Sequence, residues 1–273
     1  MKYFLVQVCG SLTLLIAGIL IGYQTLPWQG LIGLAILLKL GAAPLHFWYP
    51  QLSEEVEWPS FLILRTIQKV APLTLLFYSR TELFFLLYLS TGARAITGGL
   101  GGVNELLIRK LLAYSSINHL GWILLTFTLN SLLWVAYFFV YALVLRLLVK
   151  LLNRLQIFHF SQLKLAPVSS RRQIRATLGL FSLGGFPFLF GFLPKWIILQ
   201  FASPILRASL LGVLVIISTL TLFFYRRLTL GLLLTRLSKK TSPLQPLDLL
   251  TFNSGLNLLG FWMGRGIIHR FAQ

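Results

Sequence analysis

Nine runs of about 20 apolar residues, separated by short polar segments, dominate this chain of 273 residues. A hydrocarbon core about 30 Å thick is crossed by roughly 20 helical residues, so each run is read as a membrane span. The runs cover residues 3–24, 31–49, 59–78, 83–101, 107–129, 131–152, 174–200, 205–225 and 247–268. Charged residues make up 11% of the chain, less than half the share of about 25% that a soluble domain presents to water. The expected fold is therefore all-α: a polytopic membrane helix bundle of nine transmembrane helices in a single domain, 1–273. The first run, Tyr3 to Tyr23, exceeds the apolar stretch of about 7–15 residues found in signal peptides and lacks a small-residue cleavage site. It is read as a retained span.

The formal charge is +18, from 24 Lys/Arg against 6 Asp/Glu. The basic residues fall in short clusters between the runs, not on a solvated face with interleaved aromatics, which sets a nucleic-acid partner aside. With nine crossings, every second loop shares a side with the N-terminus. That side collects Lys2, Arg109, Lys110, Arg154, Lys164, Arg171, Arg172, Arg175, Arg226, Arg227, Arg236, Lys239 and Lys240. The other side holds Arg80, Arg207, Arg265 and Arg270. The asymmetry places the basic side in the cytoplasm or its topological equivalent, the mitochondrial matrix. The one cysteine, Cys9, offers neither a disulfide framework nor an iron–sulfur ligand set. Any redox chemistry belongs to a partner.

Seven cations remain inside spans: Lys39, Arg65, Lys69, Arg94, Arg146, Lys150 and Lys195. A charge at the bilayer centre costs at least about 2.5–3.5 kcal/mol on insertion scales, so each calls for a reason. Arg146 and Lys150, one turn apart near a span end, read as side chains that snorkel to the interface. Lys39, Lys69 and Lys195 each sit beside proline. Lys39 precedes Pro44 in KLGAAP, Lys69 precedes Pro72 in QKVAP, and Lys195 follows Pro194 in GGFPFLFGFLPKW, after Gly184 and Pro187. Proline removes a backbone hydrogen bond and obstructs another, freeing carbonyls that can hydrate or hold a cation at membrane depth. Broken helices with a buried ion site are a recurrent way to build a transport site at the midplane. Helix breaks are expected at Pro44, Pro72, Gly184, Pro187 and Pro194. Arg65, four residues before Lys69, would share its helical face and modulate it. His119 lies mid-span with no second ligand at metal spacing; it reads equally as a hydrogen-bonded core histidine or a proton relay. The run Gly98-Gly99-Leu100-Gly101-Gly102 lacks phosphate-loop spacing and reads as helix packing or a turn.

Taken together, KYFLVQ at 2–7, KLGAAPLHFWYP at 39–50, QKVAP at 68–72, GGVNELLIRKLLAYSSINHLGW at 101–122 and LGGFPFLFGFLPKW at 183–196 resemble the antiporter-like proton-pumping subunits of mitochondrial NADH:ubiquinone oxidoreductase, respiratory complex I, and among them the chain 2 family. The resemblance covers about 2–227, and the segment 228–273 matches poorly. It implies an antiporter-like fold with two broken helices and the proton relay Lys39, Lys69, His119 and Lys195. Arg65 and Arg94 depart from it, standing where the family usually has uncharged residues. It also implies a place among the membrane-arm subunits in the lipid of the mitochondrial inner membrane. No cofactor is expected in this chain, with NADH, FMN, iron–sulfur clusters and ubiquinone bound by partner subunits.

Members of the family begin about two helices before the KYF segment, and one of those helices carries a glutamate paired to the residue that matches Lys39. Here Glu82 and Glu105 fall at span ends and Glu54, Glu55 and Glu57 in a loop, so no carboxylate is expected mid-span. The readings left open are a start placed too late, the two helices as a separate chain, and a lineage without the carboxylate. Besides the proton pump, the functional classes that fit are a monovalent cation/proton antiporter subunit and a non-pumping structural connector.

Overall fold

The computed structural model describes residues 1–21, 28–80, 82–129, 132–165, 170–201 and 206–238. These form twelve helices: α1 Lys2–Ile21, α2 Trp28–Lys39, α3 Trp48–Glu55, α4 Trp58–Arg65, α5 Ile67–Tyr78, α6 Phe84–Gly101, α7 Ile108–Thr128, α8 Leu133–Leu155, α9 Phe160–Leu165, α10 Ser170–Gly184, α11 Leu193–Phe201 and α12 Leu206–Ser238. No strand occurs among the described residues; a single antiparallel bridge, Leu107 to His159, ties the strap after α8 to the start of α7. Among the described residues, four stretches are long and apolar enough to cross a membrane, Lys2–Leu20, Trp58–Tyr78, Leu133–Leu155 and Ser209–Leu232, with Gly30–Lys39 as a shorter apolar helix. The expected ninth span, 247–268, lies outside the described residues.

α7 is the axis of the bundle. From Leu111 to Phe127 every residue except Tyr114 is buried, which explains how a helix carrying Ser115, Ser116, Asn118 and His119 sits at membrane depth: its polar groups face protein, not lipid. α1 is the opposite case. Phe4, Leu15 and Ile19 are about two-thirds exposed, as expected of side chains that meet acyl chains. α6 crosses α7 at Gly98, where a Cβ would stand 2.7 Å from the Asn118 nitrogen and 2.8 Å from the Tyr114 carbonyl oxygen. Gly99 and Gly102 instead make room for side chains of α12, Ile217 and Phe224. The glycine run is thus a packing surface that lets backbones approach closely. Gly98→Val is expected to cost about 1–3 kcal/mol, the usual penalty of overpacking. It should appear as a lower thermal midpoint of the membrane domain, and an unchanged midpoint would contradict the backbone contact.

Two helices stop inside the bundle, and both stop in the same way. After α2, Ala42 N–H bonds Leu37 O and Gly41 N–H bonds Leu38 O, each at 3.0 Å. After α10, Phe186 N–H bonds Phe181 O and Gly185 N–H bonds Ser182 O, again each at 3.0 Å. This paired pattern is a Schellman cap, which requires a left-handed residue; Gly41 (φ 61°) and Gly185 (φ 80°) supply it. Pro44 and Pro187 lie in the unwound segments beyond the caps, and Pro194 lies in the first turn of α11, where its missing N–H costs nothing. The glycines therefore end the helices and the prolines prevent their resumption.

At Pro72 the expectation is corrected. α5 runs through Pro72 without interruption, and the discontinuity falls at Thr66 (φ −114°, ψ −77°). The Thr66 hydroxyl donates back to Leu62 O at 2.7 Å. Leu62 O also keeps its bond from the Thr66 N–H at 3.0 Å, and the ladder tightens just beyond, where Lys69 N–H bonds Thr66 O at 3.1 Å.

Candidate functional site

The cations within spans separate sharply by burial. Arg65 and Arg94 are 0% exposed, Lys69 3% and Lys195 4%. Arg146 and Lys150 are exposed on the outer face of α8, as snorkelling side chains should be. Lys39 is half-buried at the C-terminal end of α2, and its stem packs on α1, where a Cβ on Gly10 would lie 2.8 Å from Lys39 Cγ. Neither ion pair found among the described residues involves it: Lys2 pairs with Glu55 at 3.7 Å and Lys110 with Glu54 at 3.0 Å. Both join the C-terminal end of α3 to the first turn of another helix, α1 or α7.

Three of the buried cations meet one stripe of α7. Arg65 donates to the carbonyl oxygens of Leu112 and Arg109, the latter at 3.2 Å, and stacks 3.8 Å from the Phe61 ring centroid. Lys69 donates to Ser116 Oγ at 3.4 Å. Lys195 lies 5.8 Å from the Trp122 ring centroid. His119 sits between Ser116 and Trp122 on the same stripe. Positions 112, 116, 119 and 122 follow the helical period and extend over about 15 Å of axis. Arg65 and Lys69 stay on one side although the chain breaks at Thr66, because Leu112 and Ser116 are themselves one turn apart.

His119 Nδ1 is 2.9 Å from the Tyr137 hydroxyl, and its ring packs 4.8 Å from that of Tyr141. Beside it lies a cavity of about 10 Å³ lined by His119, Tyr137, Tyr141, Ser182, Gly191 and Pro194. A space of that size is at the lower limit for one water, and its walls are mostly apolar. Lys195, in the first turn of α11, donates to Gly184 O at 3.1 Å. That carbonyl belongs to the last turn of α10, where the ladder leaves acceptors unpaired and the helix dipole favours a cation. The broken helix thus makes the lysine's seat.

Sequence reasoning did not find Tyr49. It is 1% exposed, its hydroxyl is 3.1 Å from Ser116 Oγ, and its ring centroid is 4.8 Å from Lys69 Nζ. Nothing in HFWYP separates this ring from its aromatic neighbours; only the fold of α3 against α5 and α7 does. The sequence did isolate Arg94 as unexplained. None of its three guanidinium nitrogens has a hydrogen-bond partner among the described residues, and the structure offers no account of how that charge is held.

A bundle centred on a polar helix, with two interior helix breaks, half-buried Lys39 beside one and buried Lys195 beside the other, defines an antiporter-like membrane subunit. Residues 21–224 match the sequence model of the NADH:quinone oxidoreductase/Mrp antiporter transmembrane family, and the chain belongs to that family. Among its curated relatives, NADH-ubiquinone oxidoreductase chain 2 of Anopheles gambiae is 38% identical over 250 residues, covering 88% of this chain and 73% of the relative. The same-named protein of Aedes aegypti is 38% identical over 206 residues, covering 75% of this chain and 60% of the relative. Similar folds occur in respiratory complex I of Thermus thermophilus with bound aureothin (TM-score 0.73, 22% identity, 96% of this chain and 64% of that one). They occur also in the Mrp complex of a Dietzia species (TM-score 0.74, 19% identity, 84% of this chain and 49% of that one). The chain thus spans between half and three-quarters of the length of these relatives.

Proposed function

We propose that this chain translocates protons in the membrane arm of respiratory complex I, in the mitochondrial inner membrane, coupled to oxidation of NADH by ubiquinone. The observation that carries this reading is the alignment of Lys69, His119 and Lys195 along one face of α7, beside a helix broken at membrane depth. In this scheme Lys69 is the central relay, Lys39 the modulated donor and Lys195 the terminal acceptor, with His119 and water between Lys69 and Lys195. Arg65, locked onto α7 carbonyls, is a fixed charge that modulates Lys69, since a guanidinium does not release its proton. NADH, FMN, iron–sulfur clusters and ubiquinone would be held by partner subunits, and this chain's own partners would be membrane-arm subunits and lipid, not nucleic acid. The relatives' name supports membership of that assembly.

The test is the number of protons pumped per NADH oxidised by the assembled complex in reconstituted membranes, with Lys69 replaced by methionine. An unchanged ratio would place the chain among non-pumping connectors. The scheme also has nine crossings, two of them through broken helices, with basic loops on the matrix side. A cysteine at Gln156, an exposed residue of the strap after α8, is expected to react with an impermeant thiol reagent only from the matrix side. Labelling from the intermembrane side would invert the topology.

A further inference from the structure

Among the described residues, the buried cations around α7 have no carboxylate beside them. The carboxylates among the described residues, Glu54, Glu55, Glu57, Glu82 and Glu105, all lie at helix ends or between helices. A phenol stands beside Lys69 instead, that of Tyr49. Lys69 Nζ stands 4.8 Å from the Tyr49 ring centroid and 3.4 Å from Ser116 Oγ, and Ser116 Oγ is 3.1 Å from the Tyr49 hydroxyl. Arg65 Cζ lies 5.8 Å from the same ring. The ring is fixed from below by Gly41, where a Cβ would be 2.9 Å from Tyr49 Cβ. The turn that ends α2 therefore seats the tyrosine.

We propose that Tyr49 is the proton-exchange partner of Lys69, acting through the Ser116 hydroxyl in the role a carboxylate would otherwise fill. This rests on the proton-translocation reading above. Along the hydrogen bonds, from Lys69 to Ser116 Oγ and from Ser116 to the Tyr49 oxygen, the ammonium gives a proton to Ser116 while Ser116 gives its own to the phenolate: an N–H of Lys69 breaks, the Tyr49 O–H forms, and Ser116 is restored. The reactants are an ammonium and a phenolate, the products an amine and a phenol, so charge and protons balance, no redox partner enters, and the reverse step reloads the lysine. Phenol and alkylammonium have closely similar acidities in water, about 10 and about 10.4, and a proton passes most readily between groups so matched. The charged and titratable groups that face the phenol are Arg65 of α4, Lys69 of α5 and Tyr141 of α8. Arg65 carries a fixed positive charge and stabilises the phenolate without competing for the proton.

The experiment uses the assembled complex with Tyr49→Phe, which keeps the ring under Lys69 and removes only the hydroxyl, beside Lys69→Met. Protons pumped per NADH and redox-induced infrared difference spectra are measured for each. The expected result is a loss of pumping in both variants and, in the parent complex, a tyrosinate signature that Tyr49→Phe removes. Normal pumping in Tyr49→Phe with impaired Lys69→Met overturns the proposal and leaves the relay reading intact. Impaired pumping in Tyr49→Phe with an unaltered tyrosine spectrum also overturns it, because the residue then acts by packing alone. Normal pumping in Lys69→Met overturns the relay reading itself. Should Tyr49→Phe not assemble, Ser116→Ala cuts the same link from the α7 side: lost pumping supports the proposal and normal pumping overturns it.

Discussion

Replacing Lys69 by methionine is expected to lower the number of protons pumped per NADH and to slow turnover of the assembled complex. Loss of a positioned proton carrier typically costs about a hundredfold or more in the step it serves. The fold should survive the change. Methionine matches the lysine stem in length and flexibility. The hydroxyl it abandons has another partner, since Ser116 Oγ also donates to Ala113 O at 2.8 Å. Removing a buried cation that has no carboxylate opposite it leaves no unpaired counter-charge behind, so the large penalty of a broken buried ion pair does not arise. Arginine at the same position keeps the charge yet cannot release its proton, so it should fail as well. Full pumping by the arginine variant would show that charge alone is required. Full pumping by the methionine variant would show that neither charge nor proton exchange is required.

The second large effect is expected at Lys195. Lys195→Met should abolish proton delivery beyond His119 while leaving Lys69 and its partners in place, so that pumping falls although the infrared response around Tyr49 persists. The stability cost should be about 1–3 kcal/mol, that of leaving Gly184 O without its buried donor. Gly185→Ala tests the same seat by geometry. Its φ of 80° burdens alanine by about 1–2 kcal/mol, and the added Cβ would stand 2.7 Å from Lys195 Nζ. The amine must move from the Gly184 carbonyl, so pumping should fall with the lysine still present. Equal pumping by Gly185→Ala and the parent complex would show that the broken end of α10 does not position Lys195.

Much of this was legible in the amino-acid order, because the signals are local. Apolar runs about one bilayer long set the helices, and Lys69 and Lys195 stood out since charge in lipid is costly wherever the helix is placed. The breaks beside Lys39 and Lys195 were legible too, but through the wrong residue. Proline was the visible signal, whereas the caps are made by Gly41 and Gly185, whose left-handed backbone completes two hydrogen bonds at each end. Pro72 shows the limit of the same rule. The chain breaks at Thr66 instead, six residues earlier, and α5 runs on through the proline.

The tertiary structure alone decided which cations belong together. Arg65 meets Leu112 and Lys69 meets Ser116 across 47 positions of sequence, and Lys195 meets Gly184 only because α11 turns back onto the end of α10. Helical periodicity fixes what shares a face on one helix. It carries no information about which helix covers that face, since lipid-facing and protein-facing apolar residues read alike. The placing of Tyr49 beneath Lys69 and the separation of buried Arg94 from exposed Arg146 follow from packing around α7. That packing is a long-range choice made by close backbone contacts such as Gly98 against Asn118, where removing a Cβ lets two helices meet.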